Sequence, residues 1–208
     1  VYSKSLKDSS FCWIKVTYAN MSNSREFLQF VGHGDNDYIT FNQIYTYNKK
    51  RKKLNCINSF NTNASYQNEI VAADKNYVTI HNSDQPAEVG WISWNIPYKY
   101  SKGKLVAATT STTTVKSLIA NNKKDKYSKY FAKNQFVTAK KLTFYNGSKV
   151  AYTVPKGKVV TLTKLSLSKD VIYLQFKYGK KTGWISVNNK NYDFESPYFK
   201  KVNSRLAG

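Results

Sequence analysis

Apolar and polar residues alternate along much of the chain, which is the pattern of β-strands that bury one face. In the first half, this alternation predicts strands over residues 11–18, 38–47, 69–73 and 77–80, while residues 26–31 fit either a strand or one helical turn. In the second half, it predicts strands over residues 136–145, 149–154, 159–167, 171–178 and 184–187. Short strands separated by turn residues predict a mainly β chain built from small, strongly bent barrels.

The tetrapeptide Gly-Trp-Ile-Ser occurs twice, at residues 90–93 and 183–186, and each copy precedes a Pro-Tyr pair. Further segments match between the halves, such as residues 44–48 with residues 142–146. These matches predict an internal duplication, with one domain over residues 1–100 and a second over residues 101–208. Trp91 and Trp184 then fit two roles, as the largest core side chains of similar domains or as exposed aromatic binding residues.

The formal net charge is +21, from 33 Lys and Arg against 12 Asp and Glu. Residues 1–100 hold 11 basic and 8 acidic side chains, whereas residues 101–208 hold 22 and 4. Such a field favours a polyanionic partner, and we expect the second half to dominate its binding. The alternative is that dispersed lysines only keep a surface protein soluble. The basic run at residues 49–53 predicts a solvated hairpin tip, with a dedicated anion site as the alternative.

Few residues are suited to catalysis or to metal binding. The histidines His33 and His81 fall in predicted loops, and no nucleophile-histidine motif or Gly-rich phosphate loop accompanies them. The acidic residues near His33 lack most ligand positions of a calcium loop. Cys12 and Cys56 are compatible with one disulfide or with two buried thiols. We therefore predict a protein that is not an enzyme and needs no cofactor or metal. No apolar run approaches the roughly 20 residues of a membrane span.

Two stretches of the second half resemble known families. Residues 171–185, VIYLQFKYGKKTGWI, resemble the end of GW modules, which are SH3-like (SH3b) cell-wall-binding repeats of Gram-positive surface proteins and autolysins. Residues 144–147, FYNG, followed by 155–160, PKGKVV, are similar to SLAP repeats, which hold S-layer and associated proteins on the walls of lactic acid bacteria. The first half matches poorly, because residues 81–88 replace the basic turn that precedes the second Gly-Trp pair.

The resemblance implies two tandem SH3-like β-barrels that anchor a secreted, extracellular protein to the Gram-positive cell wall. The implied ligand is an anionic wall polymer, lipoteichoic acid or wall teichoic acid, whose phosphates would meet lysine ammonium groups in a salt-sensitive manner. Trp184 and Trp91 are carried over from the Gly-Trp pairs, and the turn beside Trp184 makes Lys180 and Lys181 the preferred contacts. The other candidate ligand-binding residues are Lys177, Tyr178, Lys156, Lys158, Lys140 and Lys141.

Two other functions fit the same charge. One is an adhesin or surface-array subunit that binds host glycosaminoglycans or proteins, because heparin and teichoic acid are both polyanions. The other is binding of single-stranded nucleic acid, since lysine and tyrosine interleave along the chain. Nucleic acid is the less favoured partner, because base readout favours arginine and the chain has only Arg25, Arg51 and Arg205.

Overall fold

The chain forms two compact units in a computed structural model, which describes residues 11–21, 25–35, 38–60, 68–84, 86, 88–112, 115–116, 128–131, 133–168, 171–187, 196 and 198–200. The first unit comprises Val1–Asn82 and Ile96–Thr109, and the second comprises Ser83–Asn95 and Thr110–Gly208. The sequence placed Trp91 in the first of two domains, whereas the structure groups it with the second unit. The division into repeats at residues 1–100 and 101–208 stays a prediction.

The first unit contains an antiparallel sheet of four strands in the order β1-β2-β3-β4. Its strands are β1 (Trp13–Met21), β2 (Arg25–His33), β3 (Ile39–Asn48) and β4 (Lys53–Ser59). Alternate side chains of β2 are buried, as expected for a strand with one face on a core. The basic run forms the hairpin between β3 and β4, where Asn48 pairs with Lys53, so the predicted hairpin tip is confirmed.

Four further strands follow, namely β5 (Glu69–Ala73), β6 (Val78–Asp84), β7 (Ile92–Ser101) and β8 (Lys104–Ala107). β5 and β6 form the predicted hairpin around Asp74. The Asp74 carboxylate accepts hydrogen bonds from the backbone N–H groups of Asn76 at 2.7 Å and Tyr77 at 2.8 Å, and thus stabilises a tight turn without glycine. The core of the first unit comprises Ala19, Met21, Phe27, Ile44, Ile57, Ile70, Val78, Ile80 and Leu105.

A buried polar cluster ties β2 and β3 to the start of β5. The side-chain N–H group of Gln29 donates to Asn42 Oδ1 at 2.8 Å and to the backbone carbonyl of Asn68 at 2.5 Å. Asn42 donates to the same carbonyl at 2.9 Å, and Gln29 Oε1 accepts from the backbone N–H of Ile70 at 2.7 Å. Because a buried polar group without a partner costs about 1–3 kcal/mol, these bonds fix how the three strands meet.

The second unit is built on a seven-stranded sheet in the order β11-β14-β15-β16-β12-β13, with β9 beside β14. Its strands are β9 (Ser111–Thr112), β11 (Gln135–Val137), β12 (Leu142–Asn146), β13 (Lys149–Val154), β14 (Val159–Ser168), β15 (Val171–Tyr178) and β16 (Lys181–Val187). A single helical turn, α1 (Ser128–Phe131), precedes β11. The remaining sheet has the order β10-β7-β6-β5, with β8 beside β7 and with Val115–Lys116 as β10.

Four phenylalanines form the centre of the second unit, and each is at most 2% exposed. The Phe199 ring lies 5.0 Å from the Phe136 ring and 5.4 Å from the Phe176 ring, while Phe144 lies 5.6 Å from Phe176. The rings are tilted against one another, which is a favourable arrangement for aromatic pairs. The sheet therefore rests on a densely packed aromatic layer.

The prediction of a mainly β fold is confirmed, and β13 through β16 follow the predicted strands closely. The predicted strand over residues 136–145 is wrong, because the chain turns away after β11. At that point Thr138 Oγ1 donates to the carbonyl of Pro155 at 2.8 Å and accepts from the backbone N–H of Lys158 at 3.0 Å. These bonds hold Thr138 against the β13–β14 turn instead of continuing the strand.

Further expectations are corrected. His33 lies in β2 and His81 lies in β6 rather than in loops, and residues 53–59 form β4, which the alternation did not predict. Cys12 and Cys56 are free and exposed, so the structure contains neither the disulfide nor the buried thiols.

Within the described ranges the sheets are open, since each strand order has two ends. Across those same ranges, no helix has the length and apolar character that crossing a membrane requires.

Candidate functional site

Gly183 and Trp184 are neighbours in β16 and face opposite sides of the sheet. Gly183 is buried, and a Cβ atom there would lie 2.9 Å from Phe144 Cβ and 3.0 Å from Tyr152 Cε1. Only glycine therefore lets β16 approach these two aromatic residues so closely. Trp184 points to the outer face by strand alternation and is half-buried. In this copy of the tetrapeptide, the glycine serves packing and the tryptophan lies on the surface.

Trp184 belongs to a row of four residues that crosses β14, β15, β16 and β12. Strand pairing sets Lys164 opposite Gln175, Gln175 opposite Trp184, and Trp184 opposite Tyr145. We call these four residues the Trp184 row. Directly opposite residues on an antiparallel sheet have Cβ atoms about 4.5–5.5 Å apart, so neighbouring side chains of the row can touch. The row thus combines two aromatic rings, an amide and an ammonium group.

The rows on either side extend the same outer face. Buried Ile172, Leu174 and Phe176 alternate along β15 with outward-facing Tyr173 and Lys177. Residues two positions apart along a strand lie about 7 Å apart, so Tyr173 and Lys177 flank the Trp184 row at that spacing. One flanking row is Ser166, Tyr173 and Ser186, and the other is Thr161, Lys177 and Thr182.

Tyr198 is held by the segment around Ser196. The Ser196 hydroxyl accepts hydrogen bonds from the backbone N–H groups of Tyr198 at 3.1 Å and Phe199 at 3.0 Å, and it donates to the carbonyl of Glu88 at 2.6 Å. Phe199 is packed in the aromatic core, which fixes the segment further. Burial, and then the charge of Glu88, raise the pKa of Tyr198. Its hydroxyl therefore stays protonated and can donate at neutral pH.

A surface groove of about 530 Å³ joins these features. Its volume falls within the range of about 300–1,000 Å³ that is usual for ligand sites. The lining contains four aromatic residues and a lysine, and none of its members is a carboxylate. The groove is lined by Lys141, Leu142, Thr143, Tyr145, Gly147, Ser166, Tyr173, Trp184, Ile185, Ser186 and Tyr198.

Four exposed lysines lie in the groove lining, beside Tyr198, in the Trp184 row or in the row next to it, and we call them the groove lysines. They are Lys140, Lys141, Lys164 and Lys177. The Lys140 Nζ atom lies 5.4 Å from the centroid of the Tyr198 ring, which is a cation–π geometry. In the described part of the chain, no groove lysine forms an ion pair with a carboxylate. The groove therefore has lysines without ion-pair partners among the described residues beside an aromatic surface.

The structure places Trp184 and Lys141 in the groove lining, Lys140 beside Tyr198, and Lys177 in the row next to the Trp184 row. The other predicted residues lie elsewhere. Tyr178 pairs with Lys181 across a two-residue turn that contains Gly179, whose φ of 59° favours glycine. The exposed lysines of the two neighbouring hairpin turns, which we call the turn lysines, are not among the described groove-lining residues. They are Lys156, Lys158, Lys180 and Lys181.

Trp91, the remaining predicted residue, is half-buried and is not part of the groove lining. It follows Gly90, which has a φ of 71° and donates its backbone N–H to the carbonyl of Pro86 at 2.7 Å. Gly90 thus lies in a turn, whereas Gly183 lies within a strand. The two copies of the tetrapeptide therefore differ in local structure.

Sequence reasoning missed three aromatic residues and one lysine of the candidate site, namely Tyr145, Tyr173, Tyr198 and Lys164. Tyr173 could have been predicted, because apolar Ile172, Leu174 and Phe176 alternate along β15 and the residue between the first two must face outward. Lys164 follows a bulge between Leu162 and Lys164, so its face could not be read from simple alternation. Tyr198 carries only the weak signal of the Pro-Tyr pair.

Cys12, His33 and Asp35 lie close together in the first unit, but their chemistry does not favour a nucleophile. The Cys12 thiol donates to Asp35 Oδ1 at 3.3 Å, and this hydrogen bond, together with the negative charge of Asp35, raises the pKa of the thiol. An activated cysteine needs a lowered pKa instead. His33 is buried, and its ring stacks on Trp13 at 3.7 Å with an interplanar angle of 3°.

No group of three His, Cys, Asp or Glu side chains suitable for a metal ion occurs within the described ranges. No protein-family model, curated protein or solved structure matches the chain. Function must therefore be inferred from the chemistry of the groove.

Proposed function

We propose that the chain is a non-catalytic cell-wall-binding module that anchors a secreted Gram-positive surface protein to an anionic wall polymer, lipoteichoic acid or wall teichoic acid. One observation carries the proposal: four aromatic side chains and Lys141 line one groove, Lys140 lies beside Tyr198, and these two lysines form no ion pair within the described ranges. Lysines supply attraction for phosphates, and aromatic rings supply apolar contact for the carbon atoms between them.

The arrangement suits a flexible polyanion better than a single small anion. Lys177 and Lys164 lie in adjacent rows of the sheet face, and Lys140 and Lys141 border the groove beside Tyr198. Separate cations can therefore meet successive phosphates of one polymer. Each contact releases counterions from the polymer, so affinity falls as salt rises.

We also propose that the chain derives from tandem repeats of the GW, SH3b or SLAP type, with two SH3-like units as its ancestral plan. The paired tetrapeptides and the matching segments of the two halves support this origin. The different surroundings of Gly90 and Gly183 indicate that the copies have diverged. The second unit, which contains the groove, then accounts for most of the wall attachment. The chain acts outside the cell.

Binding to purified cell walls tests the proposal directly. The full chain is sedimented with intact Gram-positive walls and with walls from which teichoic acids have been extracted. We expect strong co-sedimentation with intact walls, a large loss with extracted walls, and competition by soluble lipoteichoic acid. Equal binding to extracted walls would contradict the proposed ligand.

The same assay separates the competing functions when heparin and single-stranded DNA are added at matched ionic strength. Heparin that displaces the chain more effectively than lipoteichoic acid would favour an adhesin. Stronger displacement by single-stranded DNA would favour nucleic-acid binding. Lipoteichoic acid as the strongest competitor would support wall attachment.

A further inference from the structure

A second basic and aromatic cleft lies in the first unit, at one end of the four-stranded sheet. Its volume is about 520 Å³. It is formed by the start of β2, the β3–β4 hairpin and the end of β7, which supply Arg25, Tyr47, Lys49, Lys50, Asn55 and Tyr100 among others. The hairpin is itself ordered by a hydrogen bond from the backbone N–H of Arg51 to Asn48 Oδ1 at 3.0 Å.

Arg25 is preorganised by an aromatic ring. Its guanidinium carbon lies 4.6 Å from the centroid of the Tyr100 ring, and Tyr100 in turn packs 5.8 Å from the core residue Phe27. Stacking on a ring fixes the guanidinium plane without using its N–H donors. Across the described ranges these donors have no ion-pair or hydrogen-bond partner, so they are available for a bidentate contact with a carboxylate or phosphate group.

The charge of the cleft is not neutralised by its own residues. Within the described chain, Arg25, Lys49 and Lys50 form no ion pair. Glu26 is the one carboxylate among the described cleft residues, and it accepts a hydrogen bond from the Tyr18 hydroxyl at 3.3 Å. Three cations against one carboxylate leave a positive site, although the first half of the chain as a whole is nearly neutral.

The cleft also offers groups that recognise the ring of a sugar. Tyr47 and Tyr100 line the cleft, so it offers aromatic surface to sugar C–H groups. Asn55 also lines the cleft, and a side-chain amide can bond to hydroxyl groups. The volume is within the usual range for a small-ligand site.

We infer that this cleft binds an acidic sugar, that is, a sugar ring carrying a phosphate or carboxylate group. Arg25 binds the anionic group together with Lys49 and Lys50, while the aromatic and amide groups of the cleft contact the ring. This site is separate from the groove of the second unit, and it does not depend on polymer binding there.

The test is a heteronuclear NMR titration of the full chain with glucose 6-phosphate, glucuronate, glucose and inorganic phosphate. We expect both acidic sugars to shift the backbone amide signals of Arg25, Tyr47, Lys49 and Lys50 at concentrations where the other two probes do not. Equal shifts with inorganic phosphate, or equal shifts with glucose, would overturn the inference. Shifts confined to other regions, or none, would overturn it as well.

Variants of the cleft and of a nearby turn test which residues bind the acidic sugar. Arg25→Gln should weaken the binding of acidic sugars about tenfold or more, because a hydrogen bond to a charged group contributes about 1.5–3 kcal/mol. The Lys49→Gln/Lys50→Gln double variant should also weaken it. Lys75→Gln, which removes an exposed lysine from the β5–β6 turn of the same unit, should not. Equal affinity in Arg25→Gln and Lys75→Gln would contradict the inference.

Trp184→Ala distinguishes failure of this inference from failure of the proposed wall binding. It alters the groove of the second unit and should leave the titration of the first-unit cleft unchanged. A loss of acidic-sugar binding in Trp184→Ala, with Arg25→Gln unaffected, would place the sugar in the groove and overturn the separate site.

Discussion

Tyr145 of β12 and Trp184 of β16 are cross-strand partners on the outer face of the sheet in the second unit. This pairing joins the β12–β13 hairpin to the strands that carry the Trp184 row. It also places two aromatic side chains side by side in the wall of the groove. The pairing is possible because Gly183, on the opposite face, lets β16 pack closely on Phe144.

Trp184→Ala should weaken binding to lipoteichoic acid about 5- to 30-fold. It removes a large apolar contact from the groove, and a loss of about 1–2 kcal/mol corresponds to that change in affinity. Calorimetric titration of the full chain measures the affinity, and a thermal melt checks that the variant is folded.

Trp13→Ala is the matched control for this variant. Trp13 is an exposed tryptophan of the first unit, outside both proposed sites, with 46% of its surface accessible. Its replacement should leave affinity for lipoteichoic acid unchanged. An equal loss in both variants, or no loss in Trp184→Ala, would contradict a binding role for the groove.

Gly183→Ala should lower the free energy of unfolding by about 1–3 kcal/mol, the usual cost of overpacking a core. The added Cβ would lie 2.9 Å from Phe144 Cβ, which is attached directly to the backbone and cannot easily move. Urea denaturation measures the change. Thr182→Ala on the outer face of the same strand should stay within about 0.5 kcal/mol of the wild type. Equal stability of the two variants would show that close packing at Gly183 is not required.

Tyr152→Phe should destabilise the chain at neutral pH and do so less at alkaline pH. The Tyr152 hydroxyl donates to the carbonyl of Phe176 at 2.7 Å, a bond worth about 1 kcal/mol, and burial raises the pKa of Tyr152 to about 12. An ordinary tyrosine in the unfolded chain titrates near 10. The stabilisation is therefore fully present below pH 10 and is lost as the pH rises toward 12.

Denaturation of the wild type and of Tyr152→Phe from neutral pH to about pH 12 tests whether the titration of Tyr152 controls this part of the stability. The difference in unfolding free energy should be constant below pH 10 and should narrow between pH 10 and 12. A difference that stays constant throughout would mean that Tyr152 titrates normally in the folded chain.

Strands β13 through β16 were predictable because their alternation is regular and three of the four turns that join β12 through β16 contain glycine. β15, for example, buries Ile172, Leu174 and Phe176 at alternate positions. The break between β11 and β12 was not predictable, since it depends on hydrogen bonds from Thr138 to a turn that is distant in sequence. β4 was missed because its polar residue Asn58 is stabilised by reciprocal hydrogen bonds with the backbone of Leu105, 47 residues away.

The candidate site was predictable only in part. The Gly-Trp pair and the positive charge pointed to Trp184 and to the lysines of the second half. The choice among those lysines depends on which side of the sheet each one occupies, and the bulge before Lys164 alters that assignment. The sequence favoured Lys180 and Lys181, whereas the lysine in the groove lining is Lys141, from the segment between β11 and β12.

The most direct test of the account compares two variants of equal charge by the salt dependence of their affinity for lipoteichoic acid. One replaces the four groove lysines with glutamine, and the other replaces the four turn lysines. In nucleic acids, each phosphate contact contributes roughly 0.7–0.9 to the slope of log affinity against log salt concentration, and counterion release from another polyphosphate also gives each contact a share of the slope. We predict that the groove variant loses most of the wild-type slope, while the turn variant keeps most of it. The account would be contradicted if the groove variant kept the wild-type slope, or if the turn variant lost more of the slope than the groove variant.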